Sequence, residues 1–239
     1  MSETLQVGSI RLQIHRKAIK HLHISVMPPD GRIRVSAPDS MSETAIRTAV
    51  VSRIPWIRKQ QREFEHQPRQ SKRALVTGES HYLWGRHHRL DVVEGNGQQG
   101  VNIARKGSIL LAVRPATSPE ARLVLLNDFY RREVKAATAK LLKVWVAKAG
   151  VELSDWGVKR MKTKWGSCNT DARRIWLNLE LAKKPPECLE YILVHELVHL
   201  IERNHNDHFR SQMERLMPNW QERRNLLNSL PLAHEHWIY

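Results

Sequence analysis

Cysteine is scarce in this chain: Cys168 and Cys188 are the only two among 239 residues. Two thiols cannot build a disulfide scaffold, so stability has to come from an apolar core, and a reducing compartment is expected. No apolar run approaches the roughly 18 residues needed to cross a bilayer. The opening segment MSETLQVGSIRLQIHRK also lacks the continuous apolar stretch of a secretion signal. A cytoplasmic protein with no membrane span is the expectation. Acidic residues are in deficit as well, with 24 Asp and Glu against 39 Lys and Arg, a net charge of +15. Residues 1–116 carry 19 basic and 9 acidic side chains (+10), and residues 117–239 carry 20 and 15 (+5). Such an excess attracts polyanions and leaves nucleic acid open as a partner. Yet no C2H2 spacing, RRM signature or helix-turn-helix accompanies the charge. A solvated basic surface accounts for it.

A chain of this length can bury a full core, in one large or two small domains. Residues 5–37 alternate apolar and polar, as strands do, around a turn at Pro28-Pro29-Asp30-Gly31. Ser42 opens a helix with an apolar stripe at Ala45, Ala49, Ile54 and Ile57, and Pro55 marks a kink or break in it. Residues 58–73 look like a polar helix end and an exposed connection. Strand signals resume over residues 75–115, with turns at Gly85, Asn96-Gly97 and Lys106-Gly107. His87 and His88 are adjacent and so face opposite sides of a strand. They do not share an ion. Ser118 then caps a long helix, with Leu123, Leu126, Tyr130, Val134, Ala137, Leu141 and Val144 on its buried face and Gly150 at its end. These signals divide the chain into a strand-rich portion with one helix (1–116) and a second portion (117–239) that holds the chemistry.

That chemistry centres on PECLEYILVHELVHLIERNHNDH, residues 186–208. It contains His195-Glu196-Leu197-Val198-His199, the pattern H-E-x-x-H. Four residues is about one helical turn, so both imidazoles lie on one face and can grip one metal ion, while Glu196 can serve as a general base. Composition alone would produce this pattern with a probability of roughly 0.05. The surroundings separate it from chance. Leu189, Ile192, Leu193, Val194, Leu197, Val198 and Leu200 make the helix apolar on almost every face, so it must be buried. Two histidines and a glutamate inside a core cost several kcal/mol unless something satisfies them, and a metal with its water would do so. Arg203-Asn204 is the expected helix stop. His205, just beyond it, is the favoured third ligand, with His208, Glu214 and Glu222 as competitors. Three protein ligands leave a position for water, which is the arrangement of a catalytic rather than a structural site.

HELVHLIERNHNDHF, preceded by Lys164-Trp165-Gly166-Ser167-Cys168 and by Arg174-Ile175-Trp176-Leu177-Asn178, resembles the YgjP-like metallopeptidases, relatives of the SprT and WLM zincins. The resemblance is specific over about residues 155–220 and looser elsewhere. It implies an α+β zincin-like fold with an active-site helix on a small sheet. It also implies metal ligands at His195, His199 and His205 and a catalytic base at Glu196. His208 departs from the family pattern. Peptide-bond hydrolysis with one zinc ion is the expected activity, on a protein or peptide substrate, although nickel, cobalt or manganese suit three imidazoles nearly as well. Two other classes stay open here. One is a protease acting on DNA-bound proteins, and the other is a non-catalytic metal-stabilised module closed by a fourth ligand such as His208. The residues specify no oligomeric state.

Overall fold

Period-two alternation at the start of the chain builds the first of two hydrophobic cores. The computed structural model describes residues 2–27, 31–66, 74–104 and 107–230. Within it, β1 (Ser2–Val7), β2 (Ile10–Lys17), β3 (His23–Met27) and β4 (Arg32–Pro38) form a sheet of order β1-β2-β4-β3. β2 and β4 run parallel, and the outer pairs are antiparallel. Ile10, Leu12 and Ile14 on β2 and Ile33, Val35 and Ala37 on β4 point into the core, while Arg11, Gln13 and Arg32 between them face outward. Helix α1 (Glu43–His66) closes this core. Its start is set by Ser42, whose hydroxyl accepts the Ala45 N–H at 3.2 Å. The buried stripe is Ile46, Val50 and Ile57 rather than one through Ala45 and Ala49. Larger side chains gain more by burial, and they set the rotation of the helix. Pro55 sits inside α1 without ending it.

The second unit begins after residue 70, not at 116/117. Its first sheet joins β5 (Ser80–Leu83), β6 (Arg86–Glu94), β7 (Gly100–Ile103) and β8 (Ile109–Val113) in the order β5-β6-β8-β7. Trp84 and Gly85 both have positive φ (49° and 78°) and make the tight β5–β6 hairpin. The boundary falls earlier than composition suggests because Leu83, Leu90, Val101, Ile109 and Leu111 share one core with the helices that follow. Helix α2 (Pro119–Ala149) is capped by Ser118, which accepts the Ala121 N–H at 3.3 Å, and by Gly150 in the left-handed conformation. Leu126, Tyr130 and Val134 are buried as expected, but the C-terminal half buries Thr138, Leu142 and Trp145, and leaves Val144 exposed.

A third sheet, of order β10-β11-β9, joins β9 (Asp155–Lys159), β10 (Gly166–Asn169) and β11 (Arg174–Asn178). β9 and β11 are parallel, and β10 is an antiparallel edge strand inside the segment KTKWGSCNTDA. A 3-10 helix (Leu179–Lys183) leads into α3 (Pro186–Val198), followed by α4 (Asp207–Leu216) and α5 (Trp220–Ser229). The fold is α+β. The turn at 28–30, Lys106, the connection at 67–73 and the tail histidines His234 and His236 lie outside the described residues.

The arrangement of β1–β4 with α1 is repeated by β5–β8 with α2. Strand order and pairing senses agree, and each helix starts from a serine capping the alanine N–H three residues on.

Candidate active site

Helix α3 forms where Pro186 begins a helix and Glu187 meets its positive N-terminal end. Cys188, Leu189, Ile192, Leu193, Val194, Leu197 and Val198 are all buried, so the helix passes through the core. Glu190 accepts the Trp145 indole N–H at 2.9 Å and pairs with Arg223 of α5. The helix ends at Val198, with His199 as its C-cap, instead of continuing to Arg203-Asn204. The N–H groups of Leu200 and Ile201 turn back to Leu197 and Val198, tightening the chain and bringing His205 round towards the helix.

The rings of His195, His199 and His205 converge. Their centroids lie 4.7 to 5.0 Å apart, and one nitrogen from each falls within 4.8 Å of the others. The Nε2 atoms of His195 and His205 are 3.1 Å apart. Two ligands of a tetrahedral ion at 2.0–2.1 Å would be about 3.3 Å apart. His199 donates from Nδ1 to the Glu202 carbonyl at 3.1 Å, which fixes the ring and leaves Nε2 for a cation. Burial pushes His195 down to about 3, with the neighbouring rings adding to the effect, and His199 is lowered by burial as well. Both rings are thereby kept neutral, the form that binds metal. His195 Nδ1 is buried with no hydrogen-bond partner. A cation drawing on these rings would offset the cost of burying them, so the residues fit one. Among the described residues no other group of His, Cys, Asp and Glu converges in this way.

Phe209, at the start of α4, touches all three imidazoles at centroid distances of 4.7 to 5.0 Å. Asn206 positions it by capping α4 and accepting the Phe209 N–H at 2.9 Å. His208 turns away from the cluster, 3.5 Å from a Glu202 carboxylate oxygen and 3.3 Å from Gln212. Glu214 and Glu222 are exposed and lie outside the cluster. His81 contacts Glu79, and His87 contacts Ser80.

Glu196 is 5% exposed, and burial raises its carboxyl to about 8, partly countered by Lys164. It lies against the edge strand β10. A methyl group at Gly166 would come 2.5 Å from Glu196 Oε1 and 2.7 Å from Cγ, so only glycine admits the carboxyl group there. β10, α3 and His205 enclose a cleft of about 610 Å³ that also touches Lys164, Trp165 and Arg203. The loop ahead of β10 is held by Asn178. Its amide donates to the carbonyls of Met161 (2.9 Å) and Lys164 (2.7 Å), and its Oδ1 accepts from the Met161 and Glu180 N–H groups.

The sequence matches the YgjP-like metallopeptidase domain over residues 20–230, most of the chain. The chain belongs to this family. The YgjP-like domain is thus a metallopeptidase whose three-histidine cluster lies within the matched span. Two solved structures are similar to part of it. The metallopeptidase zymogen abylysin of Pyrococcus abyssi has 21% identity, with 37% of this chain and 90% of that one covered and a TM-score of 0.35. The zymogen jannalysin of Methanocaldococcus jannaschii has 22% identity, with 39% and 92% covered and a TM-score of 0.33. No curated protein gives a significant match. Within the YgjP-like domain, sequence reasoning missed Asn178 and Phe209. An Asn closing a strand and a Phe one turn into a helix are both common, and neither position signals its role until the loops have folded.

Proposed function

We propose that this metallopeptidase hydrolyses peptide bonds with one zinc ion held by His195, His199 and His205, and with Glu196 as general base. The observation that carries the reading is the convergence of three imidazoles beside a buried carboxyl group on the wall of one cleft. A bound zinc ion supplies Lewis acidity, making water more acidic and polarising a carbonyl oxygen. Glu196 takes a proton from the attacking water and returns it to the leaving amine nitrogen. Its ordinary affinity for protons is raised by burial, which suits a group that must both accept and release one near neutrality. Gly166 lets the carboxyl group sit against β10, and Phe209 and the Glu202 carbonyl hold the rings in orientation. The substrate is an extended protein or peptide segment, aligned along the edge strand β10. No helix of the described residues is long and apolar enough to cross a membrane.

The test is metal analysis of the purified protein beside cleavage of an unfolded protein by wild type and by Glu196→Gln. The variant is expected to bind metal as wild type does and to cleave nothing. Equal cleavage by both proteins would remove Glu196 from the mechanism.

A further inference from the structure

The sheet β1-β2-β4-β3 has two faces, and α1 covers one of them. The strand register fixes what the other presents. Along β2 it carries Arg11, Gln13, His15 and Lys17, and along β4 Arg32, Arg34 and Ser36. Gln6 and Thr4 of β1 lie beside Arg11 and Gln13, and Ser25 and His23 of β3 lie beside Arg34 and Ser36. Arg11, Gln13, Lys17, Arg32 and His23 are exposed, and Arg34 is half-buried. No described acidic residue shares this face. Glu3, on β1, belongs to the opposite parity and pairs with Arg16 at 3.8 Å.

The repeated sheet in the second unit shows that the fold does not require this charge. Its outward positions include Ser80, Tyr82, His87, Arg89, Asp91, Val93, Asn102, Leu110 and Ala112, where Arg89 and Asp91 pair with each other at 3.6 Å. The same topology therefore carries a neutral face in one copy and four cations in the other.

We infer that the outward face of β1–β4 binds the phosphodiester backbone of nucleic acid. Arginine and lysine interspersed with Gln, Thr, Ser and His is the side-chain set that contacts phosphate and sugar oxygens. Successive outward residues on one strand are about 6.6 Å apart, and neighbouring strands are about 4.8 Å apart. The cations thus form a flat grid suited to a regularly charged polymer. A membrane surface is disfavoured because Met27, half-buried, is the one sizeable apolar side chain among these outward positions of β2–β4, and interfacial binding needs an apolar face to insert. With no helix or ribbon among the described residues projecting from the face into a groove, recognition is of the backbone and independent of sequence. The positive field at His15, which together with burial lowers its proton affinity, comes from Arg34 and Lys17 on the same face.

The test is fluorescence anisotropy of the full chain with a labelled DNA duplex and with single-stranded RNA over a salt series. Vesicles containing phosphatidylserine and a poly-glutamate peptide serve as the other polyanions. Four neutralised phosphates give a log–log salt slope of about −3.6 on duplex and about −2.8 on a single strand. Serine at Arg11, Arg32 and Arg34 together should weaken binding roughly tenfold or more at low salt and bring the slope to about −1. Lysine at the same three positions should preserve both affinity and slope. Serine at the exposed α1 arginines Arg53, Arg58 and Arg62 makes the same change in net charge and should leave the slope as it was. Equal loss in the two serine variants would reduce the effect to net charge and overturn the proposal. Tighter binding to vesicles or poly-glutamate than to nucleic acid would overturn it as well.

Discussion

Gly166 on the edge strand and Glu196 on the central helix occupy each other's space, with 2.5 Å between a virtual Cβ on the first and Oε1 of the second. Gly166→Ala therefore has to displace the carboxyl group. The variant is expected to fold and to hold metal as wild type does, while peptide cleavage falls by roughly a hundredfold, the scale on which misplacing a catalytic group acts. Metal content and initial rate, measured on the same preparation, check this.

His199 and His208 should part company under substitution. His199→Ala removes a ring of the cluster and leaves the Glu202 carbonyl without its donor. Metal bound after dialysis should fall to near zero. His208 contacts Glu202 and Gln212 away from the cluster, so His208→Ala should leave metal content and cleavage within about twofold of wild type. Loss of metal on removing His208 would restore it as a ligand.

Phe209→Ala removes a side chain that is 3% exposed and in contact with all three imidazoles. Truncating a buried Phe costs about 3–5 kcal/mol. The rings also lose the surface that orients them, so metal affinity should fall along with the unfolding midpoint. Phe209→Leu keeps most of the apolar volume and should recover stability more fully than metal affinity. Denaturant unfolding and a chelator titration separate the two.

Burial holds the Lys184 ammonium down to about 8, with Glu180 partly opposing the shift. In the unfolded chain it titrates near 10.4. Between those values the folded state binds fewer protons than the unfolded state, so stability rises with pH across the window. Below about pH 8 the folded protein carries the cost of a buried charge. Urea unfolding of wild type should gain on the order of 1 kcal/mol or more between pH 8 and pH 10 relative to Lys184→Met, which lacks the titrating group. Parallel curves for the two proteins would show that Lys184 is not the source.

Much of this arrangement was legible in the chain. The four-residue spacing of His195 and His199 in a helix apolar all round is enough to place two imidazoles together inside a core. The long helix α2 announced both ends through Ser118 and Gly150, where capping chemistry is local. The features that escaped depend on distant partners. β10 hides in a polar, lysine-rich segment because an edge strand of four residues shows little alternation, and it is defined by pairing with β11. α3 ends at Val198 because its last carbonyls are taken by the turn that returns His205 to the cluster. The boundary at residue 70 is set by which core the apolar residues of β5–β8 join, and composition does not encode that choice.

His205 is exposed, on a short turn between two helices, whereas His195 and His199 belong to a segment embedded in the protein. If the three hold an ion as proposed, His205 is the ligand most open to solvent and to a competing chelator. Imidazole suits several divalent transition metals, so the ion found there would follow what the surroundings supply.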